Sequence, residues 1–471
     1  MNTSKNIALI GAGIAGLCTA YWLKKEGHTV TVFEKNGHPG GAIMTAKENG
    51  YLIDLGPNSA LETSEVLKDL ISDLGLDDKK IYGSDESNKR YIVKNGALVP
   101  IPISLAGFLK TKLWSWKAKL RLLKEPFIRS SSDKNISLAD LVEYRLGKEF
   151  LDYAINPFVA GVYAGDPKTL SAAAGFPKLY NLEQNYGSFI KGAFLGARER
   201  KKRQEVAKDR AKMFSFSEGM QVFPEALAKS IGEDLHLSTS IENIAPFDDK
   251  FMVTFEEHGH TTTSVFDKVV ICTPAHVSSR LLMDLEPGIS HMLREVYHPP
   301  VSVVYTGYKK EAILRPLDGF GFLIPELENR QILGSLWSSS IFPARAPQGH
   351  VAFTTFVGGT RQPGNALVDD DKLLEMVKGE LKDLVGIKGD PVFVKIKKWK
   401  KAIPQYRIGY QQVQKSFDEM EEKYRGLYFA GNYRRGISVG DSVLSAHETF
   451  LKILEDVALT VDVRAKKYVG I

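Results

Sequence analysis

Residues 6–10, NIALI, form a short apolar run, and residues 29–34, TVTVFE, are rich in β-branched and aromatic side chains. Between them lies a stretch of helical length opened by glycines. A short apolar run bounded by a glycine turn reads as a strand buried on both faces, so this text predicts strand, turn, helix and parallel strand, a unit of about 30 residues. The period then changes. LETSEVLKDLISDLG and SLADLVEYRLGKEFLDYAI repeat their apolar positions at helical spacing and predict a mostly helical stretch from about residue 60 to 205. DLHLSTSIENI, KFMVTFEEHG and TTTSVFDKVVICTPA alternate and predict short strands over 235–275. SVVYTGY, VAFTTFVGG and PVFVKIKKWKKAIPQY predict a second strand-rich region over 300–415, with KLLEMVKGELKDLVGI as its helix. Near the C-terminus, YFAGNYRRGISVGDSVLSAHETF repeats the order of strand, glycine turn and helix. No internal repeat or low-complexity linker divides the chain, so interleaved domains with soft limits are expected.

Composition narrows this reading. The 471 residues suggest two or three domains packed together. Cys18 and Cys272 are the only cysteines, which rules out a disulfide framework and fits a reducing compartment. MNTSKNIALIG runs straight into a strand and predicts no secretory leader. No apolar run reaches the roughly 18 residues of a spanning helix. The net charge of +6 suits anionic ligands or a membrane surface and makes no case for nucleic acid.

Gly11, Ala12, Gly13, Ile14, Ala15 and Gly16 spell GAGIAG between the first strand and the first helix. In such a turn the first glycine permits the tight bend, the second lets a pyrophosphate approach the backbone, and the third lets helix and strand pack closely. The helix N-terminus favours the anion. Glu34 ends the next strand, 18 residues after Gly16, where a carboxylate can accept hydrogen bonds from ribose hydroxyls. The alternative is a glycine turn that serves packing alone. Two more turns follow, Gly40-Gly41 and Gly56-Pro57-Asn58-Ser59. A nicotinamide domain has no need of them; a permanently held flavin does.

GAGIAGL, FEK, PGG and GPNS resemble the FAD-dependent amine oxidase-like superfamily, which closes its flavin site with a C-terminal strand-to-helix turn. LYFAGNYRRGISVGDSVLSA is similar to that closure, and the resemblance explains why the chain returns to a glycine turn near its end. NPFVAGVYAGDPKTLSAAAGFPKLYNLEQNYGS, FSFSEGMQVFPEAL, GFGFLIP, LGSLWSSSIFPARAP and AIPQYRIGY resemble the protoporphyrinogen and coproporphyrinogen oxidases. This implies an α/β fold whose discontinuous Rossmann-like FAD-binding domain takes residues 1–88, 213–287 and 416–471. A mixed-sheet substrate domain takes 89–104, 175–212 and 288–415, and a helical membrane-associating lobe takes 105–174. No cysteine follows Cys272, so attachment of FAD through a cysteine at the C-terminal turn is excluded and a noncovalent cofactor is expected.

The implied reaction is the six-electron oxidation of a porphyrinogen by dioxygen, in three two-electron steps, with hydrogen peroxide as by-product. Each step is implied to pass a hydride from an sp³ carbon to the flavin, with loss of a pyrrole proton. Such chemistry needs a close, fixed approach more than a strong base, and no catalytic residue is assigned. Protoporphyrinogen IX is the expected substrate in haem biosynthesis, with coproporphyrinogen III the alternative. The resemblance places Arg90 against a substrate propionate and makes Phe320, Gly321 and Leu323 an apolar substrate wall. Phe322 stands where some relatives carry histidine. Trp399 is placed over the flavin, Ile244 at its adenine side, and Ile437, Ser438 and Val439 at the closing helix. Lys35 and Ala42 fall at flavin-contact positions, and Ala42 replaces a larger residue of many relatives. Asn58 either turns a carbonyl toward the reacting centre or bonds its own turn.

Residues 105–127 carry apolar side chains at 105, 109, 113, 116, 120 and 123 with six Lys or Arg from 110 to 124. One basic amphipathic helix is predicted, and from the residues alone it could face the core or a membrane surface. The resemblance favours a peripheral membrane partner, on the cytoplasmic face of the cell membrane. Residues 198–212 hold eight basic and three acidic residues and read as a solvated face with a secondary attraction for anionic lipid. The oligomeric state stays open, with a homodimer among the expectations.

Overall fold

The computed structural model describes residues 4–131, 133, 135–202 and 211–468. Most of the basic stretch 198–212 lies outside the described residues.

A five-stranded parallel sheet runs in the order Leu235–His236, Thr29–Phe33, Asn6–Ile10, Lys268–Ile271, Leu427–Phe429. Asn6–Ile10 is central, which is why its apolar run is unbroken: Ile7, Ala8 and Leu9 are fully buried. Ile7 and Leu9 face the first helix, Ile14–Lys25, and pack in one core with its Leu17, Ala20 and Leu23. Val443, Ala446 and Ile453 of the C-terminal helix, Val439–Tyr468, join that core. Ala8, Ile10 and Phe33 face the opposite side, against Phe251, Val253 and Phe255 of a three-stranded antiparallel meander over residues 239–266. The C-terminal strand and helix therefore complete the layers that the first 34 residues begin.

A second, seven-stranded sheet runs in the order Phe393–Trp399, Val301–Lys309, His350–Gly358, Gly334–Leu336, Gly319–Leu323, Lys89–Lys94, Ala97–Pro100. All its pairs are antiparallel except Gly319–Leu323 with Lys89–Lys94. One face is covered by helix Asp370–Val385, whose Leu373, Val377, Leu381 and Leu384 pack with Tyr91, Val93, Phe322 and Phe353. Each such aliphatic side chain contributes about 1.5–3 kcal/mol on burial. This face accounts for Phe322, which is core rather than site-lining. A buried ion pair, Arg345 Nη2 at 2.9 Å from Asp54 Oδ2, ties the 3-10 turn Pro343–Arg345 to strand Tyr51–Asp54 of a separate two-stranded sheet. Asp54 Oδ1 also accepts hydrogen bonds from Thr45 and the Met220 N–H.

The intervening chain from Leu105 to Lys202 is helical and includes a π-helical turn at Leu151–Ile155. The single helix expected over residues 105–127 is corrected here. Helix Leu105–Lys110 ends, helix Trp116–Arg121 begins, and a 3-10 turn, Leu122–Phe127, follows. The first helix ends where Thr111 turns extended and Lys119 Nζ takes up the Leu109 and Thr111 carbonyls, and the second is started by Ser115. Its hydroxyl accepts from the Ala118 N–H and donates to Glu149, whose carboxylate also takes the Ser115 N–H. Trp114 then turns inward to stack on Phe150 at 4.7 Å, and Trp116 stays exposed. This segment is pinned from beneath by Arg145, which is fully buried between Glu125 and Glu183 and donates to the Ile128 and Gly187 carbonyls.

Candidate cofactor and substrate site

The GAGIAG turn sits at the carboxyl end of the central strand, the edge at which parallel α/β sheets bind ligands. Gly11 has φ +104°, a conformation that side chains oppose, and its N–H donates to the Phe33 carbonyl at 2.8 Å. A Cβ on Gly16 would lie 2.0 Å from the Gly11 carbonyl oxygen, so the third glycine is fixed by packing inside the protein. Gly13 differs. A Cβ there meets nothing within 4 Å. Helix Ile14–Lys25 also begins with no side-chain cap and no acidic residue in its first turn. Its leading N–H groups thus meet no side-chain acceptor at the cap, with the positive end of the helix dipole behind them. Ala12, Ile14 and Ala15 continue this turn. Glu34 stands beside it, buried, accepting from the Ala12 N–H at 2.8 Å and the Asn36 N–H at 2.9 Å.

A chain of contacts leads from this turn to the second sheet. Gly13 bridges Gly40, and the Gly40 N–H donates to the Ala12 carbonyl at 2.8 Å. Gly56 lies so close to Ala42 that a Cβ on it would come within 1.9 Å of the Ala42 oxygen. Next door, the Leu55 carbonyl accepts from Trp399 Nε1 at 2.9 Å. Pro57, Asn58 and Ser59 are half-buried in the same turn, and the Ser59 hydroxyl donates to Asn58 Oδ1. Val439 packs in the core that holds Ala12 and Ala15, while Ile437 packs on the opposite core near Tyr433. Ser438 caps the C-terminal helix through the Asp441 N–H and carboxylate. Ile244 lies within strand Thr239–Phe247, rather than after it, and is buried with Ile10 and Phe33. Lys35, next to Glu34, and the Ala42 side chain are exposed.

The free face of the seven-stranded sheet can be read from register, because directly opposed residues share a face. Arg90 lies beside Gly321, and Gly321 lies opposite Leu336. One row further, Leu323 lies opposite Gly334, which lies opposite Phe356, which lies opposite Val303. Trp399 continues the face two residues from Lys397, the partner of Val303. The result is a half-buried apolar wall of Leu323, Leu336 and Phe356 with Trp399 at one end. At the other end is exposed Arg90, whose guanidinium lies 5.3 Å from the Phe320 ring centre. Helix Asn156–Tyr163 lies over this wall through Ala160, which packs with Leu333 and Phe356.

The sequence reading passed over Leu336, Phe356, Asn432 and Thr273. The first two are ordinary members of LGSLWSS and FTTFVGG until strand register sets them beside Leu323. Asn432 follows the fifth strand at its ligand-binding end, and Thr273 Cγ2 would lie 3.2 Å from a Cβ on Gly11.

The residues present fit a flavin dinucleotide: an open glycine, an uncapped helix N-terminus, a buried carboxylate, and an unbroken contact path to an apolar wall. The site thus fits a flavin-dependent oxidoreductase. The chain belongs to the flavin containing amine oxidoreductase family, whose profile matches residues 14–449. It is 36% identical to the mitochondrial protoporphyrinogen oxidase of Nicotiana tabacum over 97% of both chains. It is 29% identical to the coproporphyrinogen III oxidase of Staphylococcus aureus (strain NCTC 8325 / PS 47), over 93% of this chain and 97% of that one. Its fold is similar to that of a reduced UDP-galactopyranose mutase, with a TM-score of 0.72 at 17% identity over 97% and 98% of the two chains. The fold alone therefore does not select the reaction.

Proposed function

We propose that this chain oxidises protoporphyrinogen IX to protoporphyrin IX with dioxygen as electron acceptor. The observation that carries the proposal is the sheet face just described: a broad apolar wall, an arginine at one edge, and a contact path from that wall to the nucleotide turn. An apolar macrocycle with carboxylates along one edge matches this layout. FAD, when bound, supplies the redox chemistry. We assign Gly11–Gly16, Glu34, the turns at 40–42 and 56–59, and residues 437–439 to holding it. The protein's own task is orientation. Leu323, Leu336 and Phe356 give a flat surface and exclude water, and Arg90 fixes the edge. The partition into FAD-binding, substrate and lobe segments proposed from the sequence is compatible with the two sheets.

Lys397 favours a second reading. It lies on the same face, opposite Val303, with its ammonium 4.8 Å from the Trp399 ring centre. A second cation would suit coproporphyrinogen III, which carries four propionates where protoporphyrinogen carries two. Steady-state oxidation of the two substrates side by side, read by porphyrin fluorescence and peroxide, decides between them. A higher kcat/KM for protoporphyrinogen is expected. A higher value for coproporphyrinogen moves the assignment, and no turnover of either by flavin-loaded protein refutes it.

We further propose that the lobe rests on a membrane surface. Ile103, Leu105, Leu109, Trp116, Leu120, Leu123 and Phe127 are exposed within 25 residues that also carry Lys110, Lys112, Lys117 and Lys124. Among the described residues no helix is long and apolar enough to cross a membrane.

A further inference from the structure

Helix Asn156–Tyr163 is a ceiling that packs directly on the apolar wall through Ala160 and Gly161, and its seat is set by side chains that lie outside the wall. At its start, the Asn156 Oδ1 accepts from Arg361 Nη2 at 2.6 Å and from the Glu326 N–H at 2.8 Å. Asn156 Nδ2 donates to the Glu326 carboxylate at 3.3 Å. Arg361 spans two elements: Nη2 donates to the Asn156 carbonyl at 2.9 Å, and Nη1 to the Ile324 carbonyl at 2.7 Å. Ile324 directly follows Leu323, at the end of the strand that carries the wall. Lys168 Nζ closes the group on Glu326 at 3.1 Å. At the other end of the helix, the Ala164 carbonyl accepts from the Thr360 N–H at 2.7 Å and the Tyr163 carbonyl from Gln405 Nε2 at 2.8 Å. Between these anchors Gly161 touches Leu323, so closely that a Cβ would lie 2.2 Å from its Cδ2.

We propose that Asn156 and Arg361 are positioning residues that fix the place of Leu323 in the substrate wall by clamping this helix to the strand of Leu323. The proposal rests on the porphyrinogen reading and names residues that touch neither flavin nor substrate. Arg361 suits the role because its planar fork reaches two carbonyls on two elements at once, which a lysine ammonium on one stem does not. Burial holds the Arg361 guanidinium down to about 10, still charged near neutral pH. The π-helical turn just before Asn156 adds one residue to the helix that delivers it, a device frequent at functional sites.

The test uses flavin-loaded full-length protein with Asn156→Ala, Arg361→Lys and Gly161→Ala. Steady-state kinetics with protoporphyrinogen, flavin content, Tm, and hydrogen exchange across residues 156–163 are measured together. Loss of one charge-assisted bond is expected to raise KM about tenfold in Asn156→Ala and Arg361→Lys. Flavin content should stay stoichiometric, kcat should change much less than KM, and exchange in the ceiling helix should quicken. Gly161→Ala leaves the clamp intact but lifts the same helix from Leu323, and is expected to raise KM without faster exchange. A lowered Tm with unchanged KM in the clamp variants would overturn the proposal and leave them a stabilising role. Should Asn156→Ala fail to fold, an unchanged KM in both Arg361→Lys and Gly161→Ala overturns it equally. Wild-type protein that holds flavin yet turns over no porphyrinogen would instead refute the reaction, and exchange in the ceiling helix would still report the clamp.

Discussion

At the nucleotide turn the decisive contacts are made by backbone: the Gly11 N–H to Phe33, the Ala12 N–H to Glu34, the Gly16 Cα pressed against the Gly11 carbonyl. At the substrate wall they are made by side chains that share a face only because six strands from three stretches of chain fall into register. The first end tolerates almost no substitution and carries little substrate information. The second is chemically specific. On the proposed reading the flavin end sets the class of reaction and the wall sets what reacts.

Breaking the nucleotide end should have the largest effect. Gly13→Val fills open space, so flavin content should fall to about a tenth or less while Tm of flavin-free protein hardly moves. Gly16→Ala should lower the Tm of flavin-free protein by crowding its neighbour, at about 1–3 kcal/mol or more. A Gly13→Val protein that purifies with full flavin would show that the cofactor lies elsewhere.

At the other end, Arg90→Ala should keep its flavin and lose roughly 10- to 100-fold in kcat/KM, the loss of a charge-assisted contact with a carboxylate. An unchanged kcat/KM would place the propionates away from Arg90. In the lobe, Leu120→Glu with Leu123→Glu should reduce co-sedimentation with anionic vesicles severalfold at unchanged activity in detergent. Equal binding would send the membrane face elsewhere.

The smallest effect concerns acid stability. Burial, with His298 and Lys401 nearby, pushes the His276 imidazole down from 6.5 to about 4. The unfolded chain therefore takes up this proton first as pH falls. The contribution is complete above pH 6.5 and is lost progressively toward about 4. His276→Gln should flatten the decline of the urea midpoint across that range; an unchanged slope would assign the decline to other groups.

The same contrast governs what the sequence made legible. The nucleotide turn could be read because its requirements are local: three glycines, an apolar strand and a carboxylate at fixed spacing. The returning C-terminal strand could be read for the same reason. Leu336 and Phe356 could not, because nothing local marks the face on which a strand residue lands. Residues 105–127 misled in the opposite sense. Their period is helical throughout, yet the first helix ends at Thr111 and Ser115, tied to Glu149 in another element, starts a new one.

The most direct test of the central claim is anaerobic mixing of flavin-loaded protein with protoporphyrinogen IX, and separately with a primary amine, while the visible flavin absorbance is followed. Rapid bleaching by protoporphyrinogen and none by the amine is predicted. Bleaching by the amine alone would show that the apolar wall and Arg90 serve a different substrate of the same family.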